Sequence, residues 1–106
     1  MNRMHYRGKI LVLACGALLL AACGRPADIR DGEQLAIEAG CVACHGTNGR
    51  GIGPTFPNLN NQWPEYLYQQ LRKYHSGERV NAIMNIQAQE LTREQMELLA
   101  RYYAAQ

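Results

Sequence analysis

The feature that most constrains this chain is a pair of cysteines, Cys41 and Cys44, followed directly by His45. Residues three positions apart share one face of a helical turn, so both thiols would project to the same side. This C-x-x-C-H spacing is typical of c-type haem attachment. The two sulfurs then bind the porphyrin covalently and the imidazole binds its iron. The motif therefore predicts one haem c, attached through Cys41 and Cys44, with His45 as an axial iron ligand.

Two other interpretations of the cysteine pair stay open, because C-x-x-C alone is common. A redox-active dithiol or disulfide is typical of a thioredoxin-like βαβ context, and the downstream sequence shows no alternation of strands and helices. A zinc site requires four ligands, often from a second C-x-x-C pair. Outside the motif the chain offers Cys15, Cys23, His5 and His75, and we expect the first three to be removed or modified. A disulfide or a zinc site is therefore the weaker alternative.

The N-terminal segment predicts export. Three basic residues lie among the first nine, and a run of 13 apolar or small residues follows from 10 to 22. A membrane-spanning helix needs about 20 such residues, so the run is typical of a cleaved signal peptide. It ends in Leu20-Ala21-Ala22-Cys23, which resembles a bacterial lipobox. We therefore predict a lipoprotein signal peptide at 1–22 and lipidation of Cys23. An uncleaved anchor, or an ordinary signal with a chance cysteine, is the alternative.

Cleavage before Cys23 changes the charge of the chain. The full sequence has a formal charge of +2, but the mature part keeps eight basic and nine acidic residues. It has no basic stripe of the kind that binds nucleic acid, so we expect no nucleic-acid partner. Acyl chains on Cys23 would anchor the protein at the periplasmic face of a membrane. Gly24 stands where an aspartate is typical of inner-membrane retention, which slightly favours the outer membrane.

The chain therefore divides into a signal peptide at 1–22, a lipidated tether at 23–30 and a domain at 31–106. The domain sequence shows no strand pattern, and the local signals that it does show are those of helices. The first helix is predicted to begin at the N-cap Asp31, with Gln34 in capping-box position, and to stop at Gly40. The second is predicted to run from Pro64 to about His75, with Gly77 as the stop, and a short helix or turn follows at 81–89. The last is predicted to begin at the N-cap Thr92, with Gln95 in capping-box position. Gly32 either lets another helix approach closely or is a turn glycine.

Residues 46–62 are predicted to form a loop, because they are rich in glycine and proline. No phosphate-binding glycine motif is present, so we expect the glycines to let the backbone wrap closely around a flat cofactor. The carbonyl of Pro57, or of a neighbour, is a candidate acceptor for the other imidazole N–H of His45. Such a bond would fix the orientation of the ligand. Trp63, Tyr66 and Tyr68 either pack on the porphyrin or are ordinary core and surface aromatics.

The second axial ligand is predicted to be Met84. It lies 39 residues after His45, in an irregular segment, which is ample chain to reach the opposite face of a haem. Met96 falls in the apolar stripe of the last predicted helix, where core packing explains it. Two alternatives stay open: Met84 packs in the core while His75 binds the iron, or the sixth position is open. Two strong ligands would leave no site for a gas or peroxide, and a thioether raises the reduction potential.

Taken together, these segments resemble the small class I cytochromes c, most of all those of the cytochrome c4 and c553 kind. The resemblance covers nearly all of residues 31–105 and rests on 41–46, 49–51, 56–59, Gln62, Tyr66-Leu67, Gln70-Leu71, 77–79, Met84 and 99–103. It implies a small all-α fold of three to five helices around one covalent haem, with the first and last helices crossing near Gly32 and Tyr102 or Tyr103. Asn60-Asn61 departs from the family, which usually has a small pair there.

The resemblance also implies a function. A mono-haem cytochrome of this kind is an electron carrier rather than an enzyme, and it has no small-molecule substrate. It would take one electron from a periplasmic redox protein and pass it to another, docking transiently with each. Two alternatives are a cytochrome subunit fixed in a larger dehydrogenase complex, and an enzyme or gas sensor with five-coordinate haem.

Overall fold

The structure, a computed structural model, describes residues 27–106. Within that range the chain forms five helices and no strand, which confirms the all-α prediction. The helices are α1 (Ala27–Glu38), α2 (Val42–His45), α3 (Pro64–Ser76), α4 (Ala82–Gln89) and α5 (Arg93–Ala104). None of these five is both long enough and apolar enough to cross a membrane. The predicted signal peptide and Cys23 lie outside the described residues.

Helix α1 begins earlier than the sequence predicts. Asp28 lies in its first turn, where a carboxylate is stabilised by the positive end of the helix dipole. Asp31 therefore lies inside the helix and is exposed, so its prediction as the N-cap is wrong. The side chain of Gln34 donates to Glu38 one turn later, at 2.8 Å, rather than closing a capping box. Residues 27–30, assigned above to the tether, are helical.

The end of α1 determines where the cysteine motif lies. Gly40 has a φ of 76°, a left-handed conformation that glycine adopts without steric cost. The N–H of Gly40 donates to the carbonyl of Ile37, and the N–H of Cys41 donates to that of Ala36. These two bonds form a Schellman motif. The motif ends α1, as predicted for Gly40, and turns the chain directly into Cys41 and α2.

Helices α1 and α5 cross at Gly32. A Cβ atom at this position would lie 2.5 Å from the Cβ of Tyr102, so a larger residue would force the helices apart. This confirms the close-approach interpretation of Gly32 and the crossing that the family resemblance implies. The core packs around this crossing and is made of Ala36, Leu67, Leu91, Met96, Leu99, Ala100, Tyr102 and Tyr103.

Helices α3 and α4 complete the fold, with α3 packed on α5 and α4 packed on α3. Pro64 starts α3 and Gly77, with a φ of 79°, ends it, as predicted. The segment left open as a helix or a turn is a helix, and the side chain of Asn81 caps it. Helix α5 begins with the predicted capping box of Thr92 and Gln95. Of the five residues predicted to start or stop a helix, four are thus confirmed as boundaries set by short local motifs: Gly40, Pro64, Gly77 and Thr92.

Candidate haem site

The cysteine motif lies on the single turn of α2 and the residue before it. The main-chain N–H of His45 donates to the carbonyl of Cys41 at 2.9 Å, so one helical turn carries both thiols and the imidazole. Both cysteines are half-buried and neither forms a disulfide. Burial raises the pKa of the Cys41 thiol, because a low-dielectric environment disfavours the thiolate. The motif therefore presents a protonated Cys41 at neutral pH.

His45 is held in one orientation by the loop that follows it. Its side chain is buried, with 8% exposed, and its Nδ1 lies 2.9 Å from the carbonyl oxygen of Pro57. A carbonyl only accepts, so Nδ1 carries the hydrogen and Nε2 keeps its lone pair for a metal. The predicted bond from His45 to Pro57 is therefore confirmed. The ring of Tyr103 meets the imidazole edge-on, with 6.4 Å between ring centroids.

His45 and Met84 line the same cleft. The cleft encloses about 270 Å³ and lies between the cysteine turn, the 46–62 loop, α3, α4 and α5. Its apolar lining comes from Leu59, Leu67, Leu71, Leu99, Ala100 and Met84, and its polar lining from Asn58, Gln62, Gln70, Tyr74 and Arg79. Cys41 also lines it. The structure thus brings a thiol, an imidazole and a thioether together around one apolar space.

The rival residues for the second axial position lie elsewhere. His75 is exposed, and its Nδ1 lies 2.9 Å from the carbonyl oxygen of Ala88, so it joins the end of α3 to α4. Met96 is buried in the core and does not line the cleft. Met84, from the first half of α4, is the methionine on the cleft. Its role as a ligand stays a prediction.

The three aromatic residues named from the sequence have different surroundings. Tyr66 lines the cleft, half exposed. Trp63 is 79% exposed and is not part of the cleft lining. Tyr68 lies on the other side of α3, where its ring is 5.8 Å from the guanidinium of Arg72. Only Tyr66 is therefore placed to touch a cofactor in the cleft.

Part of the 46–62 loop lines the cleft, through Pro57, Asn58, Leu59 and Gln62, whereas the glycines of the loop are not among the lining residues. The expected wrapping of the loop around a cofactor stays a prediction. A Cβ on Gly51 would collide with the carbonyl oxygen of Phe56, and one on Gly49 would lie 2.8 Å from the main-chain nitrogen of Asn60. The carbonyl of Gly49 also accepts from the N–H groups of Leu59 and Asn60. The loop therefore folds tightly on itself, and this packing presents the Pro57 carbonyl to His45.

Two hydrogen bonds to the residues that directly follow the motif could not be foreseen from the sequence. The hydroxyl of Tyr102 donates to the carbonyl of Thr47, and that of Tyr103 donates to the carbonyl of Gly46 at 3.3 Å. Burial raises the pKa of the Tyr103 hydroxyl, so it remains a neutral donor at physiological pH. Two adjacent tyrosines on α5 thus fasten the chain immediately after His45, across more than fifty residues of sequence.

Arg79 also lies at the site, although sequence reasoning did not place it there. It is the one charged residue among those lining the cleft. Its Nη1 donates to Gln70 Oε1 at 2.7 Å, and its guanidinium lies 4.7 Å from the ring centre of Tyr74. A fixed positive charge beside an apolar cleft complements a ligand with a flat apolar body and carboxylate groups, as a porphyrin has.

The residues of the cleft fit haem c. Two thiols lie on one helical turn; that of Cys41 lines the cleft, whereas Cys44 is not among the lining residues. An imidazole nitrogen of His45 keeps its lone pair for iron, and the thioether of Met84 belongs to the same apolar lining. The zinc interpretation lacks support, because within residues 27–106 no group of three His, Cys, Asp or Glu side chains is arranged to hold a metal ion. Fold and site together define a small all-α domain that binds a covalent haem.

Comparison with known proteins gives the family. The sequence model of cytochrome c matches residues 29–104, and this chain belongs to the cytochrome c family as a class I member. Proteins of this family are electron carriers that bind haem c and its iron covalently, and the motif occurs once in this chain.

Three known proteins illustrate the relationship. Cytochrome c-554(548) of Halomonas halodenitrificans is 42% identical over 69 residues, covering 62% of this chain and 83% of that protein. The thiosulfate dehydrogenase electron acceptor of Thiomonas intermedia is 37% identical over 99 residues, covering 92% of this chain and 43% of that protein. The cytochrome c4 structure of Acidithiobacillus ferrooxidans has a TM-score of 0.68 at 34% identity, covering 80% of this chain and 53% of that one. This chain therefore spans about half the length of the last two.

Proposed function

We propose that this chain is an exported, lipid-anchored mono-haem cytochrome that passes single electrons between redox proteins. Cys41 and Cys44 would attach the haem, and His45 and Met84 would bind its iron. The observation that carries the proposal is the shared cleft: His45 is fixed by Pro57, and Met84 lines the same apolar space. No substrate is transformed by the chain's own residues, which hold the cofactor and control access to it.

When bound, the haem supplies an iron that changes its charge by one electron. The residues of the chain adjust how easily this happens. The Pro57 carbonyl, by accepting from Nδ1 of His45, makes the imidazole more basic and fixes its direction. Met84 offers a soft thioether, which favours the reduced state and raises the potential. The apolar part of the lining would limit the access of water, and iron bound by both His45 and Met84 would have no open position for oxygen, peroxide or nitric oxide.

The test of this assignment is Met84→Ala, with Met96→Leu as the matched control. Met96 lies in the core away from the cleft, and Leu conserves its volume. We expect Met84→Ala to abolish the near-infrared sulfur–iron absorption of the oxidised protein, to lower the potential and to let the reduced protein bind carbon monoxide. Met96→Leu should keep all three properties of the wild type. Rapid carbon monoxide binding by the wild type would instead indicate five-coordinate haem, an enzyme or a sensor.

Membrane attachment rests on the sequence around Cys23. The lipobox-like residues 20–23 support acylation of Cys23, and Gly24 slightly favours the outer membrane over the inner one. Cys23→Ser should move the haem-containing protein from the membrane fraction to the soluble periplasmic fraction, with an unchanged spectrum. A protein that stays in the membrane after this change would contradict the lipid anchor.

A second candidate function is that of a cytochrome subunit fixed in a dehydrogenase complex. It is favoured by the similarity to the cytochrome subunit of sulfide dehydrogenase of Chlorobaculum tepidum, which is 30% identical over 79 residues, covering 74% of this chain and 69% of that protein. A transient carrier uses small interfaces and should separate from its partners during purification from native membranes. Recovery of a catalytic partner in a fixed one-to-one ratio would instead support the subunit.

A further inference from the structure

Asn85 forms a junction between α3, α4 and the turn that connects them. Its side-chain Nδ2 lies 2.7 Å from the carbonyl oxygen of Tyr74 in the last part of α3 and 2.9 Å from that of Arg79 in the turn. Its Oδ1 accepts from the main-chain N–H of Asn81 at 2.7 Å. One half-buried amide therefore bonds main-chain groups of three residues, spread over both ends of the α3–α4 connection.

The orientation of this amide follows from its partners. Two carbonyl oxygens on one side require the NH₂ group, and an N–H on the other side requires the oxygen. A flipped amide would place its oxygen against both carbonyls. No side chain with a different arrangement of donors and acceptors can make the same three bonds, so Asn85 is specific for this junction.

The junction acts on the residue beside it. Asn81, held through its N–H by Asn85, uses its own Oδ1 to accept from the N–H groups of Ile83 and Met84, at 3.1 Å and 2.9 Å. The main chain of Met84 is thus bonded to Asn81, Asn81 to Asn85, and Asn85 to α3. Helix α3 in turn contributes Leu67 and Leu71 to the cleft that Met84 lines.

We propose that Asn85 is a positioning residue for the thioether of Met84: it fixes the start of α4 against α3 and so holds the sulfur at the cleft. The inference rests on the proposed role of Met84 as an axial ligand. A sulfur–iron bond is maintained only while the segment that carries the sulfur stays in place. Loosening that segment therefore favours any competing ligand in solution over Met84.

The experiment is a titration of the oxidised haem-containing protein with imidazole. Displacement of Met84 is monitored as the loss of the near-infrared sulfur–iron band. The variants are Asn85→Ala, Gln89→Ala and Thr92→Ala. Gln89 is an exposed amide at the end of the same helix. Thr92 caps α5, so its loss lowers stability without touching the junction. In Asn85→Ala we expect imidazole to displace Met84 at about one tenth of the concentration that the wild type requires, or less. The variant loses three hydrogen bonds, each able to shift an equilibrium several-fold.

Each outcome decides something. If imidazole displaced Met84 in Asn85→Ala at the same concentration as in the wild type, the inference would be overturned. An equal shift of that concentration in Asn85→Ala and Thr92→Ala would also overturn it, since the amide would then act on general stability alone. A wild-type protein without the band would overturn the assignment of Met84 and this inference with it. If Asn85→Ala gives no haem-containing protein, Asn85→Asp serves in its place, because it keeps the acceptor for Asn81 and loses both donors.

Discussion

The crossing of α1 and α5 at Gly32 allows a stability change to be worked out from distances. In Gly32→Ala the new Cβ would lie 2.5 Å from Cβ of Tyr102, 3.2 Å from its Cγ and 3.4 Å from the carbonyl oxygen of Leu98. Tyr102 cannot move aside, because it is 1% exposed and its hydroxyl is bonded to Thr47. The helices must therefore separate, and the core contacts around them loosen.

The magnitude follows from two opposing effects. Inserting a methyl group into a packed core costs roughly 1–3 kcal/mol, and the fixed position of Tyr102 favours the upper end. Replacing glycine by alanine inside a helix returns about 1 kcal/mol. We therefore expect Gly32→Ala to lower the free energy of unfolding by about 2 kcal/mol. For a domain of this size that corresponds to a fall in Tm of roughly 8–16 °C.

The assay is thermal unfolding of the haem-containing protein by far-ultraviolet circular dichroism, with Gly53→Ala as the matched control. At Gly53 the nearest heavy atom to a new Cβ is 3.9 Å away, and its φ is not left-handed, so we expect a change within about 0.5 kcal/mol. A Gly32→Ala protein as stable as Gly53→Ala would refute the reasoning that the two helices touch at this point.

Two further predictions concern caps and the tyrosine contact. Thr92→Ala should lower the free energy of unfolding by about 1 kcal/mol, since it removes the N-cap of α5. The control is Asp31→Ala, at an exposed position inside α1, which should change that free energy by under about 0.5 kcal/mol. Equal effects of the two substitutions in denaturant titrations would contradict the cap assignment. Tyr102→Phe should lower the free energy of unfolding by about 0.5–1.5 kcal/mol, because the carbonyl of exposed Thr47 loses its donor; an unchanged unfolding midpoint would contradict a stabilising role for this bond.

Short local motifs explain why much of the helical layout could be predicted. A helix start at Thr92 or Pro64, and a stop at Gly40 or Gly77, depend on residues within one turn of the boundary. The start of α1 could not be predicted in this way, because the residues that locally resemble a helix start, Asp31 and Gln34, lie inside the helix. Ile29, which precedes the predicted start, packs against the core, and such a tertiary contact leaves no local signal.

The candidate site divides in the same manner. Cys41, Cys44 and His45 lie on one helical turn, so their spacing in the sequence is enough to predict haem attachment. The bond from His45 to Pro57 also follows from a short loop. The hydroxyls of Tyr102 and Tyr103 reach the site from α5, and the charge of Arg79 reaches it from the turn after α3. Their partners are main-chain carbonyls or a neutral amide, which leave no pattern in the sequence.

The sequence by itself determined that a haem is bound through one thiol pair and that helices surround it, because attachment and capping need only neighbours along the chain. The tertiary structure decided that Met84 faces the cleft and why glycine stands at position 32. Those properties depend on distances between segments tens of residues apart, and helix packing alone sets those distances.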